Sequence, residues 1–421
     1  MLRAFQYRFY PTEEQELLLR KTIGCCRLIY NKALALRSEA WALKQERVSY
    51  AETSLALTAW KKLPELAFLN EVSSAALQQP LRHLETAYSR FFKGQAKHPT
   101  YKKKARGGSA SFAQNGFRYL AGPIILAKML EPLAIRWSRP LPAGASPSSI
   151  TVSLDAAGRW HVSILCEDAT IQPLPTVNKT VGIDVGVSRL VTTSDGQKLS
   201  NPKHFEQEYK KLRRAQRVLS RRLRTRKISS LKLPKTLTEE ERRAVLGPGK
   251  NIQKARLRVG RVHAHIADSR RDALHKLSTR LVLENQTICL EDLNVKGMLK
   301  NPKLARAISD ASWGELRRQL EYKCAWYGRN LVVVDRFFPS SKTCSSCGHL
   351  LSKLPLSVRD WVCPSCSTKH DRDENAAKNI LAAGLAVSAC RASVRPTSRK
   401  GAGAAAVKQE VSVAMPGVLT S

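Results

Sequence analysis

The sequence predicts a mixed α/β protein of several domains. It has a strand–helix core with a small cysteine-held module inserted, and ahead of it a β-barrel carrying a helical insertion. Three observations carry that prediction. Between residues 178 and 389, β-branched runs alternate with long stretches of helical apolar spacing. Within that span, Cys344/Cys347 and Cys363/Cys366 form two Cys-x-x-Cys pairs with 15 residues between them. The first 177 residues hold a long helical stretch bracketed by short, proline-punctuated apolar runs.

Residues 1–10 open with aromatic and basic residues in alternation (Phe5, Tyr7, Phe9 against Arg3, Arg8), the period of a strand, and Pro11–Thr12 ends it. Residues 11–109 read as helices. They close on HPTYKKKAR, where Tyr101 stands beside Lys102, Lys103 and Lys104. Residues 110–177 are β-rich, with Ala156-Ala157-Gly158 as a hairpin turn, and together with 1–10 they make the expected barrel. The core follows over 178–339. It starts with TVGIDVGVSRLVTTSDG, in which Asp184 is read as a mid-strand acid between Gly182 and Gly186, and Asp195-Gly196 as a turn. Glycines beside an acid permit close backbone approach, here expected to be by a ligand. A basic helical segment spans 206–285, interrupted by an excursion at 229–250 that is expected to be flexible. The strands QTICL, ending at Glu291-Asp292, and LVVVD complete the core. The cysteine module occupies 340–370, a final helix 371–389, and an expected disordered tail 390–421.

Charge narrows the partners. Lys+Arg 71 against Asp+Glu 34 leaves a formal +37 on a chain that is 43% apolar, so this is a folded polycation rather than a disordered one. A nucleic acid is the natural counterpart. Lys210, Lys211, Arg213, Arg214, Arg217, Arg221, Arg222 and Arg224 lie on one helical stretch without an intervening acid, so they join Lys102–Lys104 as candidate phosphate contacts. No apolar run of about 18 residues is present, so no membrane helix is expected. The N-terminus lacks the apolar segment of a secretory signal. Ten cysteines in a chain this long suggest reduced thiols in a cytoplasmic setting.

The four paired cysteines have the spacing of a structural Zn²⁺ site. The remaining chemistry is carboxylate. Asp184 in a strand, Glu291 at a strand end, and one of Asp371/Asp373 at a helix start each have an ordinary structural explanation taken singly. Taken jointly, in the order strand–hairpin–strand, helix, strand, acid-bearing helix, they follow the order of an RNase H-like core. In that fold converging acids hold two Mg²⁺ ions about 4 Å apart for phosphodiester hydrolysis.

The blocks GIDVGVSRLVTTSDG, LEDLNVKGM, RFFPSSKTCSSCG, CPSC and DRDENAAKNIL resemble the signature blocks of the OrfB/TnpB family of bacterial insertion-sequence proteins. FYPTEEQ, GCCRLIYNKAL and the YKKK stretch resemble its N-terminal half. The resemblance implies a RuvC-type, transposon-encoded nuclease related to type V CRISPR effectors. Such a protein cleaves double-stranded DNA under an RNA drawn from the mobile element, as a monomer in a cytoplasmic, nucleoid-associated ribonucleoprotein. It also implies a wedge-like barrel with a helical recognition insertion. By motif, the catalytic acids and Mg²⁺ ligands would be Asp184, Glu291 and Asp373. The resemblance places Glu rather than Asp292 in the second block; the strand pattern does not separate the two. Two other readings are a transposase that joins strands itself and a zinc-ribbon DNA-binding regulator without turnover.

Overall fold

The computed structural model describes residues 1–393 except 105–106, 121, 232, 235, 237, 239–240, 242–244 and 248. Residues 394–421 of the tail expected at 390–421 and part of the 229–250 excursion therefore lie outside the described residues.

The chain begins with β1 (Leu2–Phe9) and passes into α1 (Glu13–Lys44). Thr12 and Gln15 close a reciprocal capping box there, so the FYPTEEQ run is a strand end and a helix start in seven residues. Helices α2 (Tyr50–Trp60) and α3 (Ser74–Phe92) complete the helical region. The β-rich segment supplies β2 (Gly108–Ala113), β3 (Phe117–Tyr119), β4 (Ile124–Leu126), β5 (Ile135–Arg136), β6 (Pro147–Leu154) and β7 (Trp160–Glu167). These form a sheet of order β2-β6-β7-β1-β5, with β3 and β4 a separate ribbon. The expected barrel is an open sheet among the described residues, since edge strands β2 and β5 do not pair. Strand β5 is only two residues long, and Pro140 and Pro142 follow it with no amide to donate to a ladder. Phe9, Phe112, Ile150 and Val162 pack under α1 and α3 to make this domain's core.

The second sheet has order β10-β9-β8-β11-β12, from β8 (Thr180–Asp184), β9 (Arg189–Thr193), β10 (Lys198–Ser200), β11 (Thr287–Glu291) and β12 (Asn330–Val334). Strands β8–β10 are antiparallel, whereas β8, β11 and β12 run parallel. Strand β8 ends at Asp184, so this acid is terminal and not mid-strand as read from the sequence. The basic segment is a hairpin of α4 (His204–Leu231) and α5 (Lys250–Glu284). After α6 (Val295–Met298) and α7 (Ala305–Ala311), helix α8 (Trp313–Tyr327) lies with α5 over one sheet face. The other face is covered by α9 (Arg372–Ser393), which runs four residues past the boundary read from the sequence. The two domains meet where the β6–β7 turn presses on α5. A Cβ at Gly260 would lie 2.1 Å from Ala156 O, and Arg159 pairs with Asp268 at 2.5 Å.

Candidate active site and metal centre

Parallel pairing sets the first two acids side by side. Leu290 registers with Ile183, so Glu291 and Asp184 leave the sheet at the same end of neighbouring strands. The third comes from above. Helix α9 lies so close to β8 that a Cβ at Gly182 would sit 2.1 Å from Ala377 O and 2.7 Å from Leu381 N. Gly182 therefore admits a helix, not the ligand expected from the sequence. At the other end of the contact, a Cβ on Gly384 would sit 2.3 Å from Cys289 Sγ on β11. This flush seating places the first turn of α9, with Asp373, at the ends of β8 and β11.

Electrostatics separates the acids that the sequence leaves as pairs. Burial pushes Asp184 up to about 7, and the charges of Asp373 and then Glu291 add to the shift. Burial also raises Glu291, against a hydrogen bond to Ser340. Its neighbour Asp292 is taken: Arg336 and Arg317 hydrogen-bond to it and hold it low. Asp371 is taken too. It accepts from the backbone N–H of Asp373 and Glu374, both at 3.0 Å, as a cap of α9. Burial alone would raise Asp371, but Lys198 at 2.7 Å, the Glu374 amide and Arg189 outweigh it and hold it at about 2. Asp373 keeps longer contacts, to Arg359 at 3.3 Å and Arg189 at 3.8 Å. In each pair one acid is neutralised by cations, and the other contributes to the excess negative charge around Asp184 or is itself shifted by burial.

The cysteine module between β12 and α9 contains β13 (Asp360–Val362) and β14 (Lys369–Asp371). Its four thiols lie within 4.8 Å of one another, the one set of three or more donors so gathered among the described residues; the three acids are spread more widely. Cys344 to Cys366 and Cys347 to Cys363 are each 3.6 Å, far beyond a disulfide's length of about 2.0 Å. A tetrahedron with metal–sulfur bonds of about 2.3 Å has edges of about 3.8 Å, so the four thiols fit Zn²⁺. Each pair sits on the same turn. Cys344 N donates to His349 O and Gly348 N to Cys344 O; Cys363 N donates to Thr368 O and Ser367 N to Cys363 O. Gly348 and Ser367 close these turns at φ +77° and +57°. His370 Nε2 lies 3.0 Å from Cys344 Sγ and its ring packs on Trp361. This is a second-layer contact the spacing of cysteines cannot disclose.

Two residues that carried no role in the sequence reading join ribbon to helix. Asn375 and Asn379, one turn apart on α9, both donate to Thr343 O, at 2.7 and 2.6 Å. Asn379 also donates to Ser340 O at 2.8 Å, and Asn375 accepts from Ser345 N at 2.9 Å. Both are buried. The segment leading into Cys344 is thus clasped to the helix that carries Asp373. The only advance signal is the i, i+4 spacing of two amides on an otherwise apolar helix face.

The expected nucleic-acid contacts fall into two places. Lys102, Lys103 and Lys104 lie on the surface after α3, and the Lys102 ammonium stands 4.0 Å over the Tyr30 ring, its pKa lowered by burial. Lys210, Lys211, Arg213, Arg214, Arg217, Arg221, Arg222 and Arg224 are all exposed on α4, whose Leu212 and Ala215 are buried. Lys211 pairs with Glu208, and Arg222 donates to Asn251 O. The first turn of α4 is anchored to the core by Asp310, which accepts from Phe205 N and from Arg270.

Residues 163–302 match a family described as "Probable transposase" (OrfB_IS605), residues 313–380 a Cas12f1-like TNB domain, and residues 1–46 the OrfB_IS605 "Helix-turn-helix domain". The last match falls on β1 and one unbroken helix. A Streptomyces pristinaespiralis protein named "Putative RNA-guided DNA endonuclease" is 55% identical over 99% of this chain and 98% of its own. The chain belongs to the OrfB/TnpB family. InsQ of Escherichia coli K12, which carries the same designation, is 32% identical over 92% of this chain and 94% of its own. A solved Cas12f1–sgRNA–target DNA complex superposes with a TM-score of 0.53 at 14% identity, covering 90% of this chain and 98% of that one. The fold is accordingly Cas12f-like. No helix among the described residues is long and apolar enough to cross a membrane.

Proposed function

We propose that this protein is a transposon-encoded, RNA-guided DNA endonuclease whose hydrolytic site is built from Asp184, Glu291 and Asp373. The observation that carries the reading is the crowding of carboxylates at the buried Asp184. Burial first, and then the carboxylates of Asp373 on the helix seated above and Glu291 on the neighbouring strand end, lift its pKa to about 7, while the adjacent Asp292 and Asp371 are paired with arginine and lysine. A hard divalent cation is the partner such an all-oxygen, anion-rich cleft fits, so Asp184, Glu291 and Asp373 would hold Mg²⁺. Bound there, Mg²⁺ would supply a nucleophilic hydroxide and stabilise the leaving oxygen. Asp371 fixes the first turn of α9, Asn375 and Asn379 fix its height over the ribbon, and Gly182 lets it lie close enough for Asp373 to reach the strand ends. The zinc ribbon is structural in this reading. It frames the cleft and takes no part in chemistry.

The exposed cations of α4 and Lys102–Lys104 would neutralise phosphates of a guide RNA and of double-stranded target DNA. The open N-terminal sheet would serve as the wedge and α1–α3 as the recognition insertion, in a monomeric cytoplasmic ribonucleoprotein. Base pairing would read the target and the protein only a short adjacent motif. The test is to purify the protein, sequence the RNA that accompanies it, and offer DNA complementary to that RNA with Mg²⁺. Cleavage that depends on the RNA and vanishes in Asp184→Ala supports the reading. Cleavage unchanged in Asp184→Ala removes the site assignment, and a joined donor–target product from the protein alone favours a transposase.

A further inference from the structure

Beside Glu291, at the carboxyl end of the parallel strands, is a cavity of about 280 Å³ that the reading above does not use. Its lining includes Val185, Glu291, Leu293, Lys296, Trp313 and Gly314. Three features define what it can hold. The walls are mainly apolar: Leu290 and Leu316 from the sheet core reach it, and only 6% of Trp313 is exposed. Trp313 is one of the lining residues, so the cavity has an aromatic side chain in its wall. Finally, two of its three cations are committed. Arg317 and Arg336 both serve Asp292, which leaves the exposed Lys296 at the rim.

We propose that this cavity takes one unpaired nucleobase of the DNA strand being cut, next to the phosphate presented to Asp184, Glu291 and Asp373. Mainly apolar walls with one aromatic side chain among them suit a flat, neutral ring, and Asn294 and Lys296 among the lining residues carry donors for an acceptor at its edge. A free anion would meet Glu291 at one edge and no desolvated cation. The volume lies below the roughly 300–1,000 Å³ of pockets for drug-sized ligands, which leaves room for a base and not for a longer stacked segment. The location follows the rule that open α/β sheets bind ligands beyond the carboxyl ends of their strands. The sugar–phosphate would stay outside, near Lys296 and the first turn of α8, whose dipole favours an anion. A base paired in a duplex cannot enter, so the cavity would select a strand already opened by the guide. This inference rests on the nuclease reading, and its test separates the two.

The experiment uses Asp184→Ala protein with its copurified RNA, bound to DNA oligonucleotides complementary to that RNA. A single 5-iodouracil is walked along the strand, and ultraviolet crosslinks are mapped by peptide mass spectrometry. One position is expected to crosslink to the peptide containing Trp313. Gly314→Leu serves as the second variant. Nothing lies within 4 Å of a Cβ placed there, and leucine is a better helix former than glycine, so the fold should stand while the side chain fills the cavity mouth. On the Asp184→Ala background it should abolish that crosslink with an unchanged melting temperature. In the otherwise wild-type protein it should lower cleavage kcat/KM by roughly 10-fold, the scale of one lost base contact. Equal crosslinking from every position, none to that peptide, or a crosslink indifferent to Gly314→Leu overturns the proposal. A retained position-specific crosslink with no cleavage by wild-type protein overturns the nuclease reading and leaves the base site standing.

Discussion

Replacing Gly182 with alanine tests whether the seating of α9, and not merely its presence, sets the reaction. The added methyl would sit 2.1 Å from Ala377 O and 2.7 Å from Leu381 N, both backbone atoms that cannot rotate aside. Reaching an ordinary contact requires α9 to withdraw from β8 by about 1 Å, and Asp373 rides on the turn next to Ala377; a misplacement of this size costs on the order of 10²-fold in rate. Overpacking a core by one methyl costs about 1–3 kcal/mol, which a chain with two extensive cores survives. The expected outcome is a folded Gly182→Ala protein, melting a few degrees lower, with its thiols still binding zinc and its guided cleavage down about 100-fold. Single-turnover cleavage with saturating RNA reads the rate, and calorimetry reads the fold. Gly24→Ala is the control: nothing lies within 4 Å of that Cβ in the middle of α1, so it should melt slightly higher and cleave normally. Wild-type cleavage by Gly182→Ala would refute the argument that α9 must lie flush on β8.

Three further outcomes follow from the same contacts. Asn379→Ala strands the Ser340 carbonyl and loosens its hold on Thr343, a loss of about 1–3 kcal/mol; the melting temperature should fall and a chelator should extract zinc faster than from wild type. Metal-free Asp184→Asn should be more stable than wild type, by a margin that depends on pH. Folding raises the Asp184 pKa from 3.8 to about 7, so the folded protein holds the extra proton. Stability of wild type therefore falls as pH rises across that window and levels off above 7. The gap in unfolding free energy should be near zero at pH 4 and widest at pH 8, at most about 4 kcal/mol before solvent relaxation reduces it, and melting at each pH reads it; a gap that does not grow with pH would refute the shift. Ser367→Gly relieves a left-handed residue at φ +57° in the second cysteine turn and should raise the ribbon's resistance to chelation without changing cleavage.

The parts legible in the sequence are those encoded locally. Cysteine spacing reports two tight turns, and the turns are present with matching hydrogen bonds. Alternation and β-branching marked the strands, and the capping box at Thr12 and Gln15 sits where the strand gives way to helix. What stayed hidden depended on partners distant in the chain. Glu291 and Asp292 are adjacent and chemically alike, and only Arg317 on α8 and Arg336 after β12 make one of them unavailable. Asp371 and Asp373 are separated in the same way by Lys198, more than 170 residues away. The sequence likewise could not say what approaches Gly182, because a close neighbour is implied by glycine whether it is ligand or helix. A run of short strands is common to a barrel and to an open sheet, and only the pairing of strands distant in the chain shows that the edge strands β2 and β5 stay apart.

The ribbon shows why such distant partners matter. Its insertion between β12 and α9 could have been neutral, a module appended to a loop. Instead, Asn375 and Asn379 bind its entry strand, Asp371 is at once the last residue of β14 and the cap of α9, and Arg359 reaches Asp373 from the turn before β13. The register of the last helix is thus set from two sides: by close packing on the sheet through Gly182 and Gly384, and by the ribbon through buried amides. Close packing fixes the distance of α9 from the sheet, while sliding along its axis is opposed by the hydrogen bonds and the cap. The cysteine module therefore holds a carboxylate in register without touching it.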